Sequence, residues 1–259
     1  MSLPLNQVIH GDCLEVMPSI PDKSIDMILC DLPYGTTACK WDTAIPFEPL
    51  WKEYKRLIKD NGAVVLFGSE PFSSYLRMSN ITNYKYDLVW DKVQGSSFAL
   101  ANKQPLRKHE NIILFSYGVI NYYPQMVLKE KPLDDRNWKG DGNGENARFG
   151  SKVKTKYIRT HSYPGSIIRV NSTSKECNPP QKIHPTQKPV ALFEYLIKTY
   201  TNEGETVLDN CIGSGTTAIA CINTGRNFIG IEKEREYVDI ARKRISEHSN
   251  QMDLGVTQC

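Results

Sequence analysis

Short, nearly continuous apolar runs alternate along this chain with stretches of helical spacing. Residues 8–12, 24–30, 63–68, 206–209 and 227–232 are runs of the first kind, as expected of strands covered on both faces. Residues 46–59 place Leu50, Trp51, Tyr54, Leu57 and Ile58 on one helical face, with Asn61 and Gly62 as the stop signal. Helices are also expected at 71–78, 190–200, 216–223 and 237–246, and two more strands at 86–90 and 112–116. Strand and helix alternating through short connections predict an α/β fold with a doubly wound, mostly parallel sheet.

The pattern fails from 121 to about 181. Residues 129–156 are glycine-rich with few large apolar side chains, so a loop is expected, followed by short strands at 157–159 and 166–170 that return to the body. The organisation expected is a body of residues 1–117 and 184–247, an irregular insertion at 118–183, and a frayed tail at 248–259. No internal repeat is visible.

Composition narrows the class. A chain of 259 residues can bury one large core, or a core with a modest insertion. No apolar run approaches the roughly 20 residues of a membrane helix, and no signal-peptide pattern is present. Seven cysteines without a Cys-x-x-Cys spacing read as reduced thiols, with Cys30, Cys211 and Cys221 in apolar segments, so a cytoplasmic location is expected. His10, His109 and His161 have no metal-ligand spacing, and no metal is expected.

The net charge of +3 is unevenly spread. Residues 148–188 hold nine Lys or Arg against one acid, Glu176. That is either a surface facing a polyanion or a solvated lysine-rich loop. Arg148, Lys152, Lys154, Lys156, Arg159 and Arg169 are the candidate contacts to such a polyanion. Lys85, Lys92, Lys103, Arg107 and Lys108 could add contacts to phosphates, which bind without reading sequence.

Two strings carry the chemistry. Asp209 ends a strand, Gly213 and Gly215 allow a tight turn, and Thr216 and Thr217 open a helix. Glu232 ends the next strand seventeen residues after Gly215, where a carboxylate can accept both ribose hydroxyls. Gly213-x-Gly215-x-x-Ala218 equally fits a dinucleotide fingerprint, so a nicotinamide dehydrogenase stays open on this string. A P-loop is excluded, since no Gly-Lys-Ser/Thr follows. The other string, Asp31-Leu32-Pro33-Tyr34, follows a buried strand. Asp31 and the Leu32 carbonyl can accept the two hydrogens of an aromatic amine, favouring a pyramidal nitrogen with a concentrated lone pair. Pro33 keeps Leu32 extended, and Tyr34 offers a ring for stacking. Such a grip needs a base swung out of its duplex.

Together these residues resemble the β class of DNA amino-methyltransferases, in which the catalytic tetrapeptide precedes the recognition region and the glycine motif comes last. The family's usual Asp-Pro-Pro-Tyr has Leu32 for its first proline here, and in the usual Asp-Pro-Phe-x-Gly-Ser-Gly-Thr-Thr the stretch Asn210-Cys211-Ile212 departs from Pro-Phe-x, whereas Gly213 to Thr217 agrees. His184-Pro185-Thr186-Gln187-Lys188-Pro189 matches the string entering the family's first cofactor helix. The resemblance implies a Rossmann-like methyltransferase fold in permuted order and S-adenosylmethionine as methyl donor. It puts Thr186 and Lys188 near the methionine carboxylate and Asp12, after Gly11, near the cofactor's adenine. Asp31, Asp209, Gly213, Ser214, Gly215, Thr216, Thr217 and Glu232 complete the cofactor set. Trp90-Asp91-Lys92 and His109-Glu110-Asn111 match strand ends of the catalytic body.

The implied reaction is base-flipping methylation of an adenine amine in duplex DNA. The alternatives are the cytosine 4-amino group, or an amine of RNA or of protein glutamine. Asp rather than Ser at position 31 favours adenine in this family, and Asn there would have favoured glutamine. Methylation at carbon 5 of cytosine is disfavoured, since no Pro-Cys pair occurs. The resemblance also admits a homodimer and a cognate restriction endonuclease as partners.

Overall fold

The structure is a computed structural model that describes residues 3–35, 43–96, 98, 101–134, 158–172 and 187–253, with backbone alone at 130–134, 158–159 and 253. Residues up to Tyr123 and from Ser166 onward form one compact unit, and Pro124–Gly165 a second.

In the first unit, eight strands form one sheet. They are β1 (Gln7–His10), β2 (Ile25–Cys30), β3 (Ile58–Gly68), β4 (Tyr84–Ser96), β5 (Arg107–Phe115), β8 (Ile167–Arg169), β9 (Thr206–Asp209) and β10 (Asn227–Glu232). Their order is β1-β10-β9-β2-β3-β5-β4-β8. Every neighbouring pair is parallel except the two that β5 makes, with β3 and with β4. The helices are α1 (Cys13–Val16), α2 (Phe47–Leu57), α3 (Phe72–Ser79), α4 (Val190–Tyr200), α5 (Thr216–Asn223) and α6 (Arg235–Asp253).

Strand side chains alternate between the two faces of the sheet. Met27 and Leu29 of β2, with Ala63, Val65 and Phe67 of β3, enter the core that holds Leu192, Leu196, Ala218 and Val238 of α4, α5 and α6. Ile28, Cys30, Val64 and Leu66 enter the opposite core, with Leu50, Tyr54 and Leu57 of α2 and Leu76 of α3. Both faces are therefore covered, which is why β2 is buried along its whole length and reads as continuous apolar sequence. Its one charge, Asp26, accepts from Lys59 Nζ at 2.6 Å and from the Thr206 amide at 3.0 Å.

The second unit contains β6 (Val127–Asp134) and β7 (Ile158–Ser162), an antiparallel pair. It lies inside the 118–183 stretch where periodicity fails.

Several boundaries differ from expectation. Asn61 and Gly62 do not close α2, which ends at Leu57. They sit in an irregular part of β3, where Ile58 pairs with Ile25 but Ala63 already pairs with Met27. β4 and β5 extend beyond their apolar centres through polar residues. α6 continues to Asp253, so residues 248–253 are helix rather than tail. No β6 was expected, and the strand foreseen at 157–159 pairs with it rather than with the body, whereas β8 joins β4 in the main sheet.

Candidate active site

β9 and β2 lie side by side and parallel, with Val207 opposite Met27 and Leu208 opposite Ile28. From β9 the chain crosses through α5 to β10 on one side, and from β2 through α2 to β3 on the other. This reversal opens a crevice beyond the carboxyl ends of the two strands, where open α/β sheets take their ligands. Asp31 follows β2 and Asp209 ends β9, so the two strings meet there.

The resulting cleft has a volume of about 1060 Å³. Asp31, Leu32, Pro33 and Tyr34 line it, as do Asp209, Gly213, Ser214, Thr216, Thr217 and Glu232, together with Asp12 and Lys188. Gly215 caps α5 at φ 86, and a Cβ there would stand 3.3 Å from that of Ala241. Thr186, Arg148, Lys152, Lys154 and Lys156 lie outside the described residues, as does the Arg159 side chain. Arg169 is exposed on β8, with Nε 3.7 Å from Asp91 Oδ2, and is not among the cleft residues.

The glycine turn is braced from both sides. Glu232 accepts the Gly213 amide at 2.8 Å and the Glu234 amide at 2.9 Å. A carboxylate offers about four lone-pair sites, so capacity for ligand hydroxyls remains. Asp209 accepts from Thr217 Oγ1 and, at 3.1 Å, from the Cys211 amide. Burial pushes the Asp209 carboxyl up to about 7 against these hydrogen bonds, and burial also raises Glu232. Asp12 caps α1 through the Leu14 amide at 3.0 Å and pairs with Lys233 at 3.3 Å. Beneath the turn, the Tyr54 hydroxyl donates to Asn210 Oδ1 at 2.5 Å.

The tetrapeptide is held as firmly. Asp31 Oδ1 accepts from the Tyr34 hydroxyl at 2.9 Å, and Oδ2 from Lys188 Nζ at 2.6 Å. Burial, then the nearby Asp31 charge, push the Tyr34 phenol well above its ordinary range. Its ring stacks on Phe72, with centroids 4.8 Å apart, and Phe47 tilts against Phe72 behind it. The Lys188 ammonium also lies 3.2 Å from Glu110, whose other oxygen is 3.1 Å from Lys92 Nζ. Burial alone would raise Glu110, yet Lys188 and Lys92 hold it below the ordinary carboxylate range. Lys92 is thus an inward, buried partner of Glu110, not a phosphate contact on the surface. The sequence marked Lys92 and Glu110 only as strand ends. Their pairing depends on the β4–β5 register, in which Trp90 faces Glu110.

Cys13, Cys30, Cys211 and Cys221 are free thiols, all buried except the half-buried Cys211. A hydrogen bond with Cys211, then burial, raises the Cys13 thiol, and burial pushes Cys30 up to about 12. None is poised as a thiolate nucleophile. Among the described residues, no group of three or more His, Cys, Asp or Glu could hold a metal ion.

A cleft that joins an amine-gripping carboxylate to a braced glycine turn can bring a nucleoside-like cofactor against an aromatic amine. Residues 25–243 match the N6_N4_Mtase family, DNA methylase. The chain belongs to this family. It is 28% identical over 280 residues to the type II methyltransferase M.HinfI of Haemophilus influenzae, covering 94% of this chain and 69% of that protein. It is 30% identical over 262 residues to the DNA adenine methyltransferase YhdJ of Escherichia coli (strain K12), covering 92% and 82%. Among solved structures, the M1.HpyAVI–SAM complex superposes with a TM-score of 0.60 at 26% identity, covering 92% of this chain and 98% of that one. The matched residues run from β2 into α6 and include both strings. Among the described residues, no helix is long and apolar enough to cross a membrane.

Proposed function

We propose that this DNA methylase transfers a methyl group from S-adenosylmethionine to the 6-amino group of adenine in duplex DNA, and that it does so in the cytoplasm. The observation that carries the reading is the convergence of Asp31 and the 209–217 turn on one cleft. Asp31 itself and the 30% identity to a DNA adenine methyltransferase support adenine over cytosine.

The residues fit the cofactor. A left-handed glycine at the α5 cap, a carboxylate with spare acceptor sites at Glu232 and a cleft of this volume suit a nucleoside with an amino-acid tail. Asp12, Asp209, Gly213, Ser214, Gly215, Thr216, Thr217 and Glu232 would hold it. When bound, it supplies an electrophilic methyl carbon on a sulfonium.

Asp31 and the Leu32 carbonyl accept the two hydrogens of the target amine and turn its lone pair toward that carbon. Pro33 restricts Leu32 to an extended conformation and so aims the carbonyl. Tyr34, backed by Phe72, stacks on the base once it has left the duplex. Because the methylated ammonium is strongly acidic, its proton passes to water without a dedicated base.

The test is transfer of labelled methyl groups to duplex DNA, followed by digestion to nucleosides. Label in 6-methyladenine is the expected result. Label in 4-methylcytosine would reassign the base, and label entering only RNA or protein would remove DNA as substrate. Asp31→Ala should abolish transfer while cofactor affinity stays.

A further inference from the structure

We propose that Lys188 is a positioning residue for Asp31, itself held by Glu110 and Lys92, and is not a ligand for the amino-acid end of the cofactor. The inference rests on the reading of Asp31 as the acceptor of the substrate amine.

Lys188 stands just ahead of the α4 cap and is buried. Its ammonium is 2.6 Å from Asp31 Oδ2 and 3.2 Å from Glu110 Oε2, and 5.3 Å from the centroid of the Phe67 ring. An ammonium has three donors. One donates to Asp31 Oδ2, and with the Glu110 carboxylate at 3.2 Å the ammonium already answers to two anions, so a third has little to gain there. The contact with Glu110 is an ion pair outside hydrogen-bond geometry, and Glu110 Oε2 makes no hydrogen bond. Glu110 therefore acts on Lys188 chiefly as a charge, while its Oε1 is tied to Lys92.

Lys92 is fixed in turn. The next residue, Val93, has φ 66, a left-handed conformation that a β-branched residue adopts only at a cost. Asp91 Oδ1 accepts the Val93 amide at 2.9 Å and secures this bend. Asp31, Lys188, Glu110 and Lys92 thus form a chain of two acids and two bases whose formal charges cancel, with both lysines buried and both acids partly buried. Buried charges are tolerated only when paired, so each member constrains the next. The consequence at the reactive end is a single orientation of the Asp31 carboxylate. With Glu110 neutralised, Lys188 answers to Asp31 alone, and its undivided charge competes with the substrate amine for the Asp31 oxygens.

The test measures kcat and the dissociation constants of S-adenosylhomocysteine and of methylthioadenosine, which lacks the amino-acid end, for wild type, Lys188→Met, Glu110→Gln and Asp31→Asn. Lys188→Met should lower kcat roughly 10- to 100-fold, with the ratio of the two dissociation constants within about twofold of wild type. Glu110→Gln should lower kcat with the same unchanged ratio. If the ratio collapses toward one in Lys188→Met, the ammonium holds the cofactor's carboxylate and the inference fails. It also fails if Glu110→Gln, folded, turns over like wild type; this variant, unchanged in shape, decides the matter if Lys188→Met does not fold. Asp31→Asn separates the two levels. Full activity there would overturn the reading of Asp31 itself, whereas an inactive Asp31→Asn beside a fully active Lys188→Met would overturn only the role given to Lys188.

Discussion

Glu232 accepts the amide of Gly213 at 2.8 Å, so the carboxylate that ends β10 also shapes the turn that leaves β9. Removing it costs both this brace and the acceptor facing the cleft. Hydrogen bonds to a charged group contribute about 1.5–3 kcal/mol each, so Glu232→Ala should weaken cofactor binding roughly 10- to 100-fold. Calorimetry with S-adenosylmethionine checks this, and an unchanged affinity would place the cofactor elsewhere.

Gly215 offers a paired comparison with Gly204. Both have left-handed φ, 86 and 79, but a Cβ on Gly215 meets Ala241 at 3.3 Å whereas one on Gly204 meets nothing within 4 Å. Each Gly→Ala change should cost about 1–2 kcal/mol from backbone conformation alone. Only Gly215→Ala should also weaken cofactor binding. Thermal melts together with cofactor titrations separate the two contributions.

Asp209 gives the molecule a pH dependence of definite sign. Burial raises its carboxyl from the ordinary 3.8 to about 7, so between those values the folded chain binds a proton that the unfolded chain has released. Its contribution to stability therefore falls as pH rises from about 4 to 7 and is level above that. Asn at this position cannot titrate; its oxygen can keep the Cys211 amide while its NH2 donates to Thr217 Oγ1 in place of accepting from it. The melting temperature of wild type minus that of Asp209→Asn should decline across this window and then stop changing. A constant difference from pH 4 to 8 would show that Asp209 is ionised throughout.

Tyr54 is fully buried and donates to the buried Asn210. Tyr54→Phe keeps the packing but leaves Asn210 Oδ1 without this donor, at a cost of about 1–3 kcal/mol. A lower melting temperature with a normal far-ultraviolet spectrum is the expected result.

The apolar pattern reported the buried middle of the fold faithfully. β9, β10, α4 and α5 occupy the residues expected of them, because burial on both faces writes a continuous signature into sequence. It was silent where strands continue in polar residues. β4 runs on through Asp91-Lys92-Val93-Gln94-Gly95-Ser96, and β5 begins at Arg107-Lys108-His109-Glu110-Asn111. In those segments backbone pairing extends past the apolar core, and no periodicity announces it.

The site divides in the same way. Asp31 to Tyr34 and Gly213 to Thr217 could be read locally, since tight turns demand glycine and proline and strand ends in an α/β sheet demand function. The partners of the charges could not. Lys188 finds Asp31 across 157 positions, and Lys92 turned inward to Glu110 instead of outward to a phosphate. Which opposite charges meet is decided by strand register and by the direction of each crossover. Those are properties of the assembled sheet, and the type of a single residue does not encode them.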